Sequence, residues 1–170
     1  MAVSEFELLH GIVLTGLMRA DHPSTVRLIE HDKKGGWSVY TVSTKTEGDI
    51  RILIKASISP RVTKLKGKKA GEPGHTWQHS FSAAQIAELK KAKTWATLVC
   101  GSADLKSRIM EVCVLDPEDL DEVIDIGRGE RRSLTVHMAK GNKLHVSSSK
   151  WRSVNGKAPK KVTRRRIAEI

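Results

Sequence analysis

The segment 51–57 constrains the fold more than any other part of the sequence. It contains three consecutive apolar residues, Ile52, Leu53 and Ile54, followed by one lysine, Lys55. An apolar run of this kind is typical of a strand that is covered on both faces, in the middle of a sheet. Because an ammonium group is costly to bury without a partner, we expect Lys55 either to reach solvent at the strand end or to face a carboxylate or a phosphate.

Length and cysteine content predict a single α/β domain that needs no disulfide. A chain of 170 residues can bury roughly two-thirds of its unfolded surface around one core. Cys100 and Cys113 lie inside apolar segments without zinc-binding spacing, so we expect buried free thiols. The sequence shows no signal-peptide pattern and no apolar run of about 18 residues. We therefore expect a cytoplasmic protein with no membrane partner.

Positive charge dominates the sequence and is segregated along it. There are 30 Lys and Arg against 19 Asp and Glu, a net charge of +11. The basic residues concentrate in the segments 59–75 and 150–170, whereas 116–125 is acidic. Segregated positive charge attracts a phosphate polymer without regard to its sequence, although a solubilising tail or a patch for another anionic surface would look the same.

Nucleic acid is the predicted partner, with DNA favoured over RNA. The candidate nucleic-acid-binding residues are Arg61, Lys64, Lys66, Lys68, Lys69, Lys150, Arg152, Lys157, Lys160, Lys161, Arg164, Arg165 and Arg166.

Local patterns predict a helix followed by a three-stranded meander. Ser4 and Glu7 have capping-box spacing before a helix over about 5–18. Glu7 and His10 share a helix face and could line a site, although the capping role of Glu7 is the favoured interpretation. The segments 25–30, 37–42 and 50–56 read as strands joined by two short turns, which predicts antiparallel pairing.

The second half of the chain predicts further strands, two short helices and a hairpin. A basic loop over 59–75 precedes a strand at 77–81, and Ser82 and Gln85 form a second capping box. Strands follow at 94–101 and 108–115, and Asp116 starts a helix. The segments 133–138 and 143–147 form a hairpin in which His137 and His145 can face each other.

These elements predict an α/β (α+β) domain over residues 1–150. It has a central mixed sheet with an αβββαβ-like core, helices packed on the sheet and a C-terminal hairpin. Residues 151–170 form a basic tail that can stay flexible.

The order helix, three strands, helix and strand resembles the core of the restriction-endonuclease-like nuclease superfamily. In that superfamily the third strand carries an acid, one further residue and a lysine, an earlier strand supplies an aspartate, and the first helix often supplies a glutamate. The resemblance implies that Lys55 is the catalytic lysine and that Glu5 or Glu7 is the helix acid. The sequence departs from the pattern at Leu53, which stands in the place of the acid.

Other acids would have to replace the missing one. Asp49 shares the strand face of Lys55 but lies six residues upstream, Asp32 lies in a predicted turn, and Glu30 is the third acid that could replace the missing one. Because metal-dependent cleavage needs two carboxylates that converge on a cation, the candidate catalytic residues are Lys55, Glu7 and Asp49. The candidate ligands of a magnesium cofactor are Glu7, Asp49 and Asp32.

Two functions from different classes remain open. The first is a nucleic-acid-binding protein on a nuclease-like fold, with or without magnesium-dependent endonuclease activity. The second is a non-enzymatic interaction protein that binds a protein partner through basic surfaces, such as a phage or host-defence accessory factor. The segments 54–57, 77–82 and 98–101 also resemble small uncharacterised prokaryotic and phage proteins with this nuclease-like core. The oligomeric state cannot be predicted from the sequence.

Overall fold

The protein consists of three helices and ten strands within the residues that the computed structural model describes, which are 5–20, 25–32, 36–44, 48–64, 73–91, 93–102, 111–124, 132–139, 144–148 and 160–161. The helices are α1 (Glu5–Ala20), α2 (Ala83–Leu89) and α3 (Pro117–Ile124). The strands are β1 (Thr25–Asp32), β2 (Trp37–Thr44), β3 (Gly48–Ser57), β4 (Arg61–Lys64), β5 (Pro73–Phe81), β6 (Thr94–Cys100), β7 (Glu111–Leu115), β8 (Arg132–Ala139), β9 (His145–Ser148) and β10 (Lys160–Lys161). In these ranges no helix has the length and apolar character needed to cross a membrane.

The first sheet contains five strands in the order β1-β2-β3-β6-β7. The strands β1, β2 and β3 form the predicted antiparallel meander, β6 runs parallel to β3, and β7 runs antiparallel to β6. Gly36 and Gly48 have φ values of 60° and 70° in the turns of the meander, a conformation that glycine adopts without strain. The mixed α+β fold is confirmed, and β3 occupies the centre of the sheet as its apolar run predicts.

The two faces of the first sheet pack against different elements. One face packs against α1, whose Leu9 and Val13 form a core cluster with Ile52 and Ile54. The other face, which includes Leu53, belongs to a larger core. Because side chains alternate along a strand, the apolar run of β3 supplies both clusters, and this is why it carries no polar residue between Arg51 and Lys55.

A second sheet, which the sequence patterns did not predict, covers the larger core. Its order is β10-β9-β8-β5-β4, and every neighbouring pair is antiparallel. Trp77, Phe81 and Val136 on its inner face share the core with Leu53, and α2 and α3 contribute to the same core. The prediction of one central sheet was therefore incomplete, since the hairpin β8–β9 joins β5 in a separate sheet.

The prediction of a loop over 59–75 was wrong at both ends. The strands β4 and β5 begin within this segment and pair antiparallel, while 65–72 lies outside the described residues. The C-terminal segment also contributes a strand, because Lys160 and Lys161 pair with Val146 and His145. Strands this short and basic carry no apolar alternation, the signal on which a strand prediction depends.

Several local predictions are confirmed. Ser82 and Gln85 form the capping box of α2. The Asp116 carboxylate accepts a 2.7 Å hydrogen bond from the backbone N–H of Asp119 at the start of α3. His137 lies directly opposite His145 in the hairpin. The capping box predicted at Ser4 lies outside the described residues.

Two polar contacts link the sheets and helices. The indole Nε1 of Trp77 donates a 2.7 Å hydrogen bond to the carbonyl of Gly101, joining β5 to the end of β6. Arg51 on β3 pairs with Glu88 on α2 at 2.6 Å. Burial would raise the pKa of Glu88, but hydrogen bonds from Lys91 and Arg51 outweigh burial and lower it. Glu88 therefore stays ionised at neutral pH and holds α2 against the sheet.

Candidate nucleic-acid interface and the predicted catalytic residues

Lys55 lies in the core between the two sheets and is only 9% exposed. Its Nζ donates a 3.3 Å hydrogen bond to Oε1 of Gln85 and lies 5.7 Å from the centre of the Phe81 ring. The same Gln85 oxygen accepts a hydrogen bond from the backbone N–H of Ser82. An amide oxygen and an aromatic face both stabilise an ammonium group. These contacts connect Lys55 to the start of α2 and to the second sheet.

His79 and Cys100 extend this buried polar cluster. His79 is 1% exposed, and burial together with the positive charge of Lys55 lowers its pKa to about 3. Its Nε2 lies 3.6 Å from Sγ of Cys100. Both cysteines are free and buried, as predicted, and burial raises the pKa of Cys113 to about 12 and that of Cys100 well above its usual value. The imidazole is neutral and the thiols are protonated at neutral pH, so these groups are not reactive nucleophiles.

Glu7 lies on the opposite face of the first sheet from Lys55. It belongs to α1, which packs on the face that carries Ile52 and Ile54, whereas Lys55 contacts α2 and β5 on the other face. The charge of Glu7 acts on His10, whose pKa it tends to raise. The structure thus does not bring Glu7 and Lys55 together around one cation.

Asp49 is also remote from Lys55. The two residues are separated by six positions along β3, which corresponds to about 20 Å in a strand. Asp49 is exposed, and it accepts a 2.6 Å hydrogen bond from the hydroxyl of Ser43. Asp49 therefore belongs to the far end of the strand, where it links β3 to β2.

Among the predicted metal ligands, Asp32 is the one whose backbone lies at the same level of the first sheet as that of Lys55. It ends β1 rather than lying in a turn, and it pairs with Trp37, which in turn pairs with Lys55. The backbones of Asp32 and Lys55 are therefore two strands apart, about 10 Å, with Trp37 between them. The side chain of Asp32 lies outside the described residues, as does that of Glu5. Among the side chains that are described, no group of three or more His, Cys, Asp or Glu is placed to hold a metal ion.

A second buried polar cluster, on the α1 side of the first sheet, was only partly foreseen. The hydroxyl of Ser38 lies 2.6 Å from Nδ1 of His31 and 3.1 Å from Nδ1 of His10. Burial and the neighbouring His31 lower the pKa of His10 to about 4, against smaller raising effects of the Gly36 backbone and Glu7. The shared helix face of Glu7 and His10 is confirmed. The participation of Ser38 was not predicted, because a serine in a strand is common and does not by itself indicate a site.

The second sheet is free of acidic residues. Its five strands contain no Asp or Glu. They contain five basic residues, which are Arg61, Lys64, Arg132, Lys160 and Lys161. The strands of the first sheet instead contain three basic residues and four acidic ones. The charge segregation seen along the sequence is therefore also a segregation between the two sheets.

The outer face of the second sheet, which is turned away from the core, is mainly polar. The register places the following side chains on it: Arg61, Thr76, Gln78, Ser80, Ser133, Thr135, His137, His145 and Ser147. Cross-strand hydrogen bonds join some of them, such as Ser80 to Ser133 at 3.0 Å and His137 to Ser147 at 2.8 Å. Hydroxyl, amide and guanidinium groups are among the side-chain groups that contact phosphate oxygens.

The two basic segments predicted from the sequence reach opposite edges of this sheet. Arg61 is exposed on β4 at one edge, and Lys160 and Lys161 form β10 at the other. Lys64 lies on β4, but its side chain and those of Lys160 and Lys161 are not among those described. The remaining predicted basic residues lie outside the described ranges: Lys66, Lys68, Lys69, Lys150, Arg152, Lys157, Arg164, Arg165 and Arg166.

Comparison with known proteins found no matching family model, no matching curated protein and no matching solved structure.

Proposed function

We propose that this protein binds double-stranded nucleic acid, with DNA favoured, through the outer face of its second sheet. The observation that carries the proposal is the absence of Asp and Glu from the described strands of that sheet, which bear five Lys or Arg. By register, Arg61 lies on the outer face itself, whereas Arg132 pairs with the buried Phe81 and lies on the inner side. A net charge of +11 on the whole chain adds a long-range attraction for polyanions.

The chemistry of the outer face suits phosphates rather than bases. The large aromatic residues of the second sheet, Trp77 and Phe81, are fully buried on its inner face. They therefore do not offer a stacking platform for unpaired bases. Five strands span about 19 Å, which corresponds to the length of helix axis occupied by five or six base pairs at about 3.4 Å each. The proposed binding is therefore independent of nucleotide sequence, and it is directed at the backbone of a duplex.

Cleavage is not part of this proposal. The contacts of Lys55 with Gln85 and Phe81 face the core between the sheets, and the outer face lies on the far side of the second sheet. Glu7 and Asp49 lie away from Lys55, on the opposite face and at the other end of β3. The proposal therefore takes nothing from the nuclease resemblance except a possible core architecture, and it assigns nucleic-acid binding to the second sheet.

Salt dependence tests this proposal. With a fluorescent duplex of random sequence, the affinity is expected to fall by roughly two to three orders of magnitude between about 50 and 200 mM salt, because each neutralised phosphate releases counterions. Fluorescence anisotropy with duplexes of several sequences measures both the slope and the lack of sequence preference. Absence of binding at about 50 mM salt, or an affinity that does not respond to salt, would contradict the proposal and leave a protein partner as the alternative.

A further inference from the structure

The strand β1 forms one edge of the first sheet and exposes apolar residues in its middle. Leu28 and Ile29 are 51% and 44% exposed, and β2 pairs with only one side of the strand. Charges and a bulge protect an edge strand, and β1 has both. They nevertheless leave two adjacent apolar residues exposed at the centre of this eight-residue strand, which suits a surface that becomes covered.

A β-bulge at the centre of β1 changes which residues share a face. Leu28 pairs with Tyr40 and Glu30 pairs with Val39, so Ile29 is the extra residue. Tyr40 and Val39 are adjacent in β2 and point to opposite faces. Leu28 and Glu30 therefore also point to opposite faces, although in a regular strand residues two apart would share one.

The bulge brings two opposite charges onto one face of β1. Arg27 pairs with Thr41 and Glu30 pairs with Val39, and Thr41 and Val39 share a face because they are two residues apart. Arg27 and Glu30 therefore share that face, and both are exposed. Without the bulge their spacing of three residues would place them on opposite faces.

We propose that β1 pairs antiparallel with β1 of a second copy of this chain, about a two-fold axis that passes between Leu28 and Ile29. In this register Arg27 lies opposite Glu30 of the partner subunit, and Leu28 lies opposite Ile29 of the partner subunit. The two first sheets then form one continuous sheet of ten strands. A symmetric pair of this kind is the commonest form of homo-oligomer.

The bulge is what makes this strand self-complementary. A two-fold axis perpendicular to a sheet leaves each face on its own side, so opposed residues must share a face within each strand. Arg27 and Glu30 meet this condition only because Ile29 is inserted between the ladder positions. Opposed residues of opposite charge stabilise an antiparallel pair, and the symmetry supplies this contact twice. A register shifted by two residues would lose both ion pairs and the apolar contact.

The interface is small, so the dimer is expected to be weak. Eight residues of strand extend about 27 Å, and contacts of this size bury less area than a standard stable interface. The dimer therefore forms by mass action in the range of roughly 10–500 µM protein, which is where the oligomeric state has to be measured.

Charge exchange at the two positions tests the register. By sedimentation equilibrium without nucleic acid, Arg27→Glu and Glu30→Arg are each expected to raise the dimer Kd about tenfold or more, since each places like charges opposite one another twice. The double variant Arg27→Glu with Glu30→Arg restores the opposite pairing and is expected to return the Kd to near the wild-type value. Circular dichroism confirms that each variant is folded.

A matched pair of substitutions tests whether the dimer forms through β1 or through the edge strand β4 of the second sheet. Leu28→Lys on β1 is expected to give a monomer throughout the concentration range, whereas Val62→Lys on β4 is expected to leave the dimer intact, although Val62 is 67% exposed. A wild-type protein that is monomeric at all concentrations overturns the proposal. A dimer that survives both single charge changes, or that the double variant fails to restore, overturns it as well. Either outcome leaves the nucleic-acid proposal standing, because that proposal concerns the other sheet.

Discussion

Acidification from pH 7 to pH 5 is expected to lower the free energy of unfolding by roughly 4 kcal/mol, about 2 kcal/mol for each of two buried histidines. His10 and His79 are 3% and 1% exposed, and their pKa values in the folded protein are lowered to about 4 and about 3 from 6.5. In the unfolded chain both side chains take up protons as the pH falls below 6.5, whereas in the folded protein they stay neutral.

The sign of the effect follows from which state binds more protons. Between pH 6.5 and pH 4 the unfolded chain binds them, so acid favours unfolding. The stabilising contribution is fully present above pH 6.5 and is lost as the pH falls towards the lowered values. The charges that face these imidazoles differ: Lys55 opposes protonation of His79, while for His10 the effect of His31 is partly offset by Glu7. Glu88, with its lowered pKa, loses its contribution only at lower pH.

Urea denaturation at closely spaced pH values measures this dependence. His79→Gln is expected to remove about half of the pH dependence between pH 7 and 5, because one of the two proton-linked groups is gone. Thr135→Ala, on the half-buried outer face of the second sheet, removes no titratable group and is the control, which should leave the slope unchanged. A free energy of unfolding that stays flat between pH 7 and 5, or an unchanged slope in His79→Gln, would show that the histidines are not held neutral by burial.

Completing the nuclease motif by Leu53→Asp is expected to destabilise the protein by about 4 kcal/mol or more rather than to create a nuclease. Leu53 is fully buried in the core that both sheets share. A carboxylate there loses its hydration, and the neighbouring Lys55 already donates to Gln85. The variant also removes the apolar volume of a leucine, so the cavity adds to the cost of burying a charge.

Two further substitutions at Leu53 distinguish the destabilisation caused by lost side-chain volume from that caused by the buried charge. Leu53→Met keeps the volume and is expected to cost less than about 1.5 kcal/mol, while Leu53→Asn has the shape of aspartate without its charge and should fall between the two. Denaturation at pH 7 gives the order of stabilities. If Leu53→Asp were as stable as the wild type and nicked plasmid DNA with magnesium, and if Lys55→Ala then abolished that nicking, Lys55 would belong to a latent catalytic site after all.

The parts of the fold that local sequence determines were predictable. The capping box at Ser82, the start of α3 at Asp116 and the meander over β1, β2 and β3 depend on residues close together in the chain, and the structure confirms them. The expectation that Lys55 could reach solvent at the strand end was wrong, because the side chain is only 9% exposed. Its partner Gln85 was not predictable, since the two residues are 30 positions apart.

The second sheet could not be predicted for a different reason. The strand β4 has four residues and β10 has two, too few for an alternating pattern, and β5 pairs with β8 across more than 50 residues of chain. Basic segments were visible in the sequence, but their positions at opposite edges of one sheet were not. The lack of acidic residues on that sheet becomes meaningful only after strands from distant parts of the chain have been assigned to it.

Binding of a duplex by variants at Gln78 tests the proposed interface most directly. Gln78 is exposed at the middle of the outer face, opposite Thr135, and Gln78→Glu adds a negative charge with almost no change of shape. At about 50 mM salt we expect Gln78→Glu to weaken binding about tenfold and Gln78→Lys to strengthen it. Thr15→Glu adds the same charge on the exposed surface of α1, which packs on the face of the first sheet that is turned away from the second sheet. It is expected to change the affinity by less than about twofold because distant charges are screened. Equal weakening by Gln78→Glu and Thr15→Glu, or no effect of either Gln78 variant, would contradict binding through the outer face of the second sheet.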